Sequence, residues 1–328
     1  MAKIWENTVS YAIGRPYVDA CTRASYRSIK VYGRGNIPEG APVIIAANHC
    51  NTLMDALVIL QSFKGPVAFG ARADIFRKPF IAKFLNAMKI VPIPRARDGR
   101  EVLAQSLGVI DVIIESMDHG VPFTIFPEGT HSTTHTLMPL KKGVWRIATR
   151  AAETLGKTVY VVPAGLSYSN YYEYKGKVSL VYGEPIPVSA DMNPDELLGR
   201  LAGDITRLAG YSPSGAVVPA ETVNPKPIFR LPRPVKLALA ALTSPIALPA
   251  CTLSAPQGLI ASRLCNRLDD KAWSNTMRFA SRLLVNPVVV LLECVAAVAF
   301  LPLAWGLVLS LLSVYAMSLS YLWHGLLQ

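Results

Sequence analysis

Charge is scarce in this chain. Of its 328 residues only 17% are Asp, Glu, Lys or Arg, against roughly 25% in an ordinary water-soluble domain. The shortage falls on the acidic side, where 22 Asp and Glu face 33 Lys and Arg, for a formal net charge of +11. Hydrophobic residues make up 51% of the chain and the mean hydropathy is +0.32. Disorder and collagen-like repeats both need far less apolar content, so both are excluded. Cysteine is sparse as well. Cys21, Cys50, Cys251, Cys265 and Cys294 form no CxxC pair and are odd in number. They support neither a disulfide framework nor a zinc site, and a reducing compartment fits best. No G-x-x-x-x-G-K-[ST] and no strand-linked G-x-G-x-x-G occurs, which argues against nucleotide-binding folds. Gly165-Leu166-Ser167-Tyr168-Ser169 lacks the second glycine of a nucleophile elbow, so a serine hydrolase is disfavoured. His131 and His135 are four apart, but no further ligands stand near them to make a metal site. No secretory signal opens the chain, because Met1–Lys30 alternates apolar and polar residues and lacks an apolar core.

What is present is unevenly placed. The last 35 residues, Cys294 to Gln328, contain no Asp, Glu, Lys or Arg. A hydrocarbon core of about 30 Å takes roughly 20 apolar residues per helical span. The stretch 283–327 therefore has room for two spans in a hairpin, with Pro302, Trp305 and Gly306 at its turn. A single long tilted helix or a buried hairpin are the alternatives. Val235–Ser262 is apolar but interrupted by Pro245, Pro249 and Pro256, each of which removes a helix hydrogen bond. Spanning once would put the loop Arg263–Arg282, with five positive side chains, opposite the basic N-terminal part, against the positive-inside tendency. The expectation is a broken segment that dips into the membrane and returns on the same face.

The length suggests about two domains, and the composition divides the chain into four parts. Residues 1–28 read as an amphipathic helical segment. Its Trp5, Tyr11, Tyr17 and Tyr26 suit either a lipid interface or packing against the next domain. Residues 29–212 alternate strand and helix, residues 213–234 are a proline-dense linker, and residues 235–328 are the membrane-associated helical region. Within the second part, strands are expected at Val43–Ala47, Val67–Gly70, Ile90–Ile93, Pro122–Phe126, Thr158–Pro163 and Val178–Tyr182. Helices are expected at Leu53–Phe63, Pro79–Met88, Glu101–Met117, Gly143–Leu155 and Pro194–Leu208. Strands separated by helices imply an α/β class with a mainly parallel sheet covered on both faces.

In such a sheet ligands bind beyond the carboxyl ends of the strands, so the polar residues there are the candidates for chemistry. The first strand leads to His49, with Asp55 six residues on in the first turn of a helix. A carboxylate on one ring nitrogen fixes the tautomer and makes the other a general base near neutral pH. A capping Asp beside a satisfied His is the structural alternative. Phe126–Ser132 supplies Glu128, whose carboxylate suits hydroxyls, and the backbone N–H groups of Gly129 and Thr130 in a turn. Lys141 and Lys142 follow at the next helix N-terminus, a place favourable to phosphate. Arg95 and Arg97, after Ile90–Ile93, offer guanidinium groups for bidentate phosphate binding. The run Tyr168–Tyr174 with Lys175 and Lys177 is read as a surface loop near the lipid interface rather than an RNA stacking platform.

Together these residues resemble the glycerolipid acyltransferase family that includes bacterial lysophosphatidate acyltransferases. Its Asn-His-x4-Asp block is matched by Asn48, His49 and Asp55, and an apolar run ending in Arg by Ile90–Arg95. Its Phe-Pro-Glu-Gly-Thr-Arg-Ser block appears as Phe126–Ser132, and a final apolar run with proline as Val159–Leu166. The four blocks come in order over about 120 residues, and the resemblance covers roughly residues 29–208. Two departures stand out. Five residues rather than four separate His49 from Asp55, a spacing similar to that of yeast-type glycerol-3-phosphate acyltransferases. His131 also stands where the family has Arg, a residue implicated there in holding phosphate.

The resemblance implies a membrane-bound enzyme of phospholipid synthesis that needs no cofactor beyond acyl-CoA or acyl-ACP as co-substrate. His49 would take the proton of an acceptor hydroxyl, Asp55 would orient it, and the acceptor oxygen would attack the thioester directly. That direct route makes a thiol mechanism at Cys50 unnecessary. Glu128, Gly129, Thr130 and His131 would line the acceptor, with Arg95, Lys141 and Lys142 carrying its phosphate. The implied acceptor is 1-acylglycerol-3-phosphate, with glycerol-3-phosphate as the alternative. A membrane-anchored lipid-binding or scaffold protein on a degenerate acyltransferase fold is the non-enzymatic rival. Partners are then the acyl donor (CoA or acyl carrier protein), a phosphorylated glycerolipid and membrane lipids, with nucleic acid not needed. The expected location is a bacterial inner membrane, with the catalytic domain in the cytoplasm. Splitting the charge supports this picture, since residues 1–236 carry +9 of the total.

Overall fold

The computed structural model describes residues 4–93, 100–132, 134–171, 175–211 and 231–327, with side chains at 80, 81, 84 and 100–107 left aside. The chain falls into two compact units, Met1–Thr222 and Val223–Gln328. Most of the proline-dense stretch 213–234 lies outside the described residues.

The first unit runs α1 (Val9–Ser25), β1 (Ser28–Tyr32), β2 (Val43–Ala47), α2 (Leu53–Ser62), β3 (Ala68–Arg72), α3 (Pro79–Ala87) and β4 (Ile90–Ile93). It continues α4 (Arg100–Asp118), β5 (Phe123–Ile125), α5 (Gly143–Leu155), β6 (Val159–Tyr168), β7 (Lys177–Tyr182), β8 (Ile186–Val188) and α6 (Pro194–Ala209). The sheet order is β1-β7-β6-β2-β5-β3-β4, with β8 also on β6. Only β7 and β8 run antiparallel to β6, and the remaining pairings are parallel. The α/β, mainly parallel reading is therefore correct. β2 (Val-Ile-Ile-Ala-Ala) is buried at every position, as a strand covered on both faces must be. Against the sheet lie the apolar stripes of α5 (Val144, Ile147, Ala148, Ala151) and α6 (Leu197, Leu201, Ile205).

Two details differ from the sequence reading, and the choice left open for the N-terminal aromatics is made by burial. The N-terminal segment is not helical throughout: Ser28–Tyr32 leaves the helix to pair in parallel with β7. Tyr11 and Tyr26 are buried within this unit, whereas Tyr17 is exposed. β6 does not stop at Pro163 but continues to Tyr168. β8 pairs with Val159–Val161 and β7 with Ala164–Tyr168, so Pro163 falls in the gap between the two neighbours. Its missing N–H is not needed on that side. Just beyond, Gly165 is required because a Cβ there would lie 2.3 Å from the Leu208 carbonyl carbon. The C-terminal end of α6 therefore rests directly on β6.

The second unit contains α7 (Arg233–Asn266), α8 (Ser274–Ala280), a π-helical turn (Ser281–Val285), α9 (Asn286–Phe300) and α10 (Leu303–Leu327). Among the described residues, the stretches 233–266, 271–300 and 303–327 are long and apolar enough to cross a membrane. The hairpin turn expected around Pro302 is present as Leu301-Pro302, and Gly306 packs against the Ala297 carbonyl, 3.0 Å from where a Cβ would sit. The expected broken segment at 235–262 is instead one helix of 34 residues that runs through Pro245, Pro249 and Pro256. Nearby hydroxyls re-satisfy backbone groups of the kind proline leaves free, as is usual in apolar helices. Ser244 Oγ donates to the Ala241 carbonyl at 2.7 Å, the acceptor that Pro245 cannot use. Thr243 Oγ1 likewise donates to the Leu239 carbonyl at 2.7 Å.

Arg15 links α1 to α2. Its guanidinium donates to the carbonyls of Leu60 (2.6 Å), Phe63 (2.8 Å) and Gly65 (3.2 Å), at and just beyond the C-terminal end of α2. Arg15→Leu leaves those acceptors without this donor, and we expect a loss of about 3 kcal/mol of stability. Thermal or denaturant unfolding of the purified protein measures it.

Candidate active site

Strands β6, β2, β5, β3 and β4 are parallel neighbours, so all five deliver their following loops to one edge of the sheet. The chain leaves β2 at Asn48, which is fully buried. Its Oδ1 accepts from Leu166 N (2.7 Å) and its Nδ2 donates to the Leu166 carbonyl (2.9 Å). The side chain thus extends the β2–β6 ladder by one rung. Nδ2 also reaches the Tyr211 hydroxyl at 2.7 Å, just beyond α6.

The next residues turn sharply into α2. Met54 N donates to the Asn51 carbonyl at 3.0 Å, and Thr52 between them has φ 48° and ψ −126°. That is the first central position of a II′-type turn, which normally demands glycine. A β-branched residue there is strained. The turn lies inside the five-residue spacing between His49 and Asp55, and it brings the two together.

His49 Nδ1 lies 2.9 Å from Asp55 Oδ2. Asp55 is fully buried, whereas the His49 side chain keeps 19% of its surface exposed. Oδ2 also accepts the backbone N–H groups of Cys50 (2.8 Å) and Asn51 (2.7 Å). Oδ1 accepts the Tyr168 hydroxyl at 2.7 Å. With Nδ1 committed to Asp55, Nε2 is the ring nitrogen left for chemistry. The imidazole stacks on Phe126, centroids 4.2 Å apart, and meets His131 edge-on at 5.9 Å.

Glu128 follows β5 and is almost wholly buried. Its Oε1 accepts the N–H of His49 at 2.6 Å and its Oε2 that of Met138 at 2.8 Å. The carboxylate therefore braces the His49 loop to the segment leading into α5. Burial pushes its pKa up, and the two backbone donors pull it back in part. Ser132 N donates to the His49 carbonyl at 2.9 Å and Lys141 N to the Pro127 carbonyl at 2.7 Å. Gly129 turns the loop with φ +70°, and it and Thr130 are exposed. Lys141 and Lys142 are exposed at the start of α5, and Lys142 makes no side-chain cap bond there. Arg95 and Arg97 lie outside the described residues.

The thiol of Cys50 is fully buried, and burial followed by the charge of Asp55 pushes its pKa well up. A group held as a neutral thiol is no nucleophile. Among the described residues no cluster of three or more His, Cys, Asp or Glu side chains is arranged to hold a metal.

Sequence reasoning missed Tyr168, which bonds to Asp55, and Tyr211, which bonds to Asn48. The run beginning at Tyr168 was expected on a surface loop, yet Tyr168 and Tyr171 are buried, and residues 172–174 lie outside the description. Tyr168 ends β6 on the ligand-binding edge, so strand-end reasoning would have found it had the strand been carried past Pro163. Arg72 ends β3 on the same edge, with its Nε 3.1 Å from Asp74 Oδ1.

The first unit is thus an α/β domain with a His–carboxylate pair at the carboxyl edge of a mainly parallel sheet, braced by a buried glutamate from the neighbouring strand exit. Residues 28–167 match the family model described as Acyltransferase. One relative is a 1-acyl-sn-glycerol-3-phosphate acyltransferase of Borreliella burgdorferi, 28% identical over 51% of this chain and 60% of its own length. Another is a lyso-ornithine lipid O-acyltransferase of Brucella abortus, 27% identical over 42% and 49%. A third, glycerol-3-phosphate O-acyltransferase 2 of Saccharomyces cerevisiae, is 25% identical over 55% and 39%. The chain thus spans between 39% and 60% of the length of these relatives.

Glu128→Gln puts an amide NH2 against one of two backbone N–H groups. We expect about 1–3 kcal/mol of destabilisation, with loss of order concentrated at His49–Thr52. Thermal unfolding and amide hydrogen exchange of that loop check both parts.

Proposed function

We propose that this protein is a membrane-anchored O-acyltransferase of phospholipid synthesis. It moves a fatty acyl group from acyl-CoA or acyl-ACP to the hydroxyl of 1-acylglycerol-3-phosphate. The observation that carries the reading is the 2.9 Å contact between His49 and Asp55, inside the matched segment, with Nε2 uncommitted.

The chemistry follows from that arrangement. Nε2 of His49 takes the proton of the acceptor hydroxyl as its oxygen bonds to the thioester carbonyl carbon. The C–S bond of the tetrahedral intermediate then breaks, and the leaving thiolate recovers the proton from the imidazolium. Asp55 holds Nδ1–H and stabilises the imidazolium between the two steps. No acyl-enzyme forms, in keeping with the buried, neutral Cys50. Glu128 acts as the brace of the His49 loop, and any hydroxyl it meets shares oxygens already bound to two amides. Gly129, Thr130 and His131 line the acceptor side. Lys141 and Lys142, with Arg95, supply cations for the acceptor phosphate.

Glycerol-3-phosphate is the second reading, favoured by the yeast relative that bears that substrate in its name. The three long apolar helical stretches support integral membrane attachment. The use of acyl-CoA or acyl-ACP, both cytoplasmic donors, puts the first unit on the cytoplasmic face, of the inner membrane in a bacterium.

The test is an assay of the purified protein in lipid nanodiscs with labelled acyl-CoA and acyl-ACP. The acceptor panel contains 1-acylglycerol-3-phosphate, glycerol-3-phosphate and lyso-ornithine lipid. We expect transfer to the first, and a fall of roughly 10²–10⁴-fold in His49→Ala, in a variant whose circular dichroism shows the fold retained. Substantial turnover by that variant sinks the base assignment. Absence of transfer by the wild type from either donor to any acceptor favours a lipid-binding protein instead.

A further inference from the structure

Asp55 has two oxygens in different circumstances. Oδ2 takes His49 Nδ1 and the amides of Cys50 and Asn51, all from the turn that joins β2 to α2. Oδ1 takes the Tyr168 hydroxyl at 2.7 Å, from the far end of β6. This bond is the one that reaches Asp55 from a different strand. It runs between two buried groups, since Tyr168 is 4% exposed and Asp55 wholly buried. A carboxylate can only accept, so the phenol must be the donor. The ring is held in place by Tyr26 (centroids 6.0 Å) and Tyr171 (5.9 Å).

We propose that Tyr168 is a positioning residue of the catalytic pair, acting on His49 through Asp55. The hydroxyl does two things. It fixes the plane of the carboxylate so that Oδ2 faces Nδ1, and it draws negative charge toward Oδ1. An Asp55 relieved of charge in this way binds the imidazolium less tightly. The donor is permanent, because burial and the charge of Asp55 both push the phenol pKa well up. Burial, and with it the charge of Asp55, also pushes the phenols of Tyr26 and Tyr171 up; the other polar groups near the pair are engaged elsewhere. Glu128 binds the backbone of His49 from the β5 exit, His131 meets its ring edge-on, and Cys50 Sγ lies 3.8 Å from Oδ1. Tyr26, from the segment after α1, touches Tyr168 rather than His49.

The proposal rests on His49 being the base, so its test includes a readout that needs no turnover. The His49 imidazole is titrated by NMR in protein labelled at histidine, with the resonance assigned by its loss in His49→Ala. In Tyr168→Phe the ring remains but the donor is gone. The His49 midpoint is expected to rise by about one pH unit, tenfold in proton affinity. The acidic limb of kcat/KM shifts the same way, with KM for both substrates little changed. Replacing Tyr168 by 3,5-difluorotyrosine keeps ring and hydroxyl but strengthens the donor, so both readouts move to lower pH. That variant also covers the case in which Tyr168→Phe does not fold. Opposite shifts in the two variants support the proposal. Midpoints within about 0.2 unit of wild type in the folded variants overturn it, whatever their activity, because a purely structural tyrosine leaves the titration in place. Opposite shifts in a protein that acylates no acceptor leave the coupling standing and sink the acyltransferase reading alone.

Discussion

A carboxylate wholly removed from water, at Asp55, is the constraint around which the site is organised. An unpaired buried charge costs several kcal/mol, and each hydrogen bond to a charged group returns about 1.5–3 kcal/mol. Asp55 is therefore tolerable only when its donors are in place together. These are His49 Nδ1, the amides of Cys50 and Asn51, and the Tyr168 hydroxyl. They come from the turn after β2 and from the end of β6, while Asp55 itself stands in the first turn of α2, where the helix dipole favours a negative charge. The strained Thr52 turn persists because these bonds over-determine it. Strain of that kind is held at a site by its surroundings rather than by local preference.

Glu128 repeats the same logic one strand along. Both of its oxygens face backbone N–H groups, one of them that of His49 itself. The imidazole is thus located from two directions, through its ring by Asp55 and through its backbone by Glu128, with Phe126 stacked against one face. Two nearby carboxylates do different work because their partners differ: one binds the ring, the other binds chain. The exposed cations at Lys141 and Lys142 lie outside this hydrogen-bonded core.

The second unit solves a different problem with different means. Between them α9 and α10 carry a single charge, at Glu293, and many of the large apolar side chains of this unit are exposed. Glu293, the one charged side chain of α9, is met by the Ser313 hydroxyl from α10. Pairing of this sort is what polar groups in apolar helices require. Trp323 Nε1 donates to the Ala240 carbonyl at 3.0 Å, tying α10 to α7.

The scarcity of charge, its concentration in the first part, the alternation of strands and helices and the residues at β2 and β5 exits were all legible in the sequence. They depend on composition, on periodicity and on short blocks of contiguous residues. The strand β2, the helix α5 and the short strand β4 have the limits their own residues suggest. Other features were not legible because they depend on neighbours distant in the chain. Proline ends a strand only if its missing N–H is needed, and the gap between β7 and β8 removes that need at Pro163. Proline breaks a helix only if the freed carbonyl finds no donor, and Ser244 provides one. Tyr168 looks like part of a polar surface run until β6 carries it to Asp55, some 113 residues away in sequence. Local sequence therefore determined which groups the molecule has for chemistry and for the membrane. Tertiary structure alone decided which of them share a proton, because hydrogen bonds form between groups that are close in space, whatever their separation along the chain.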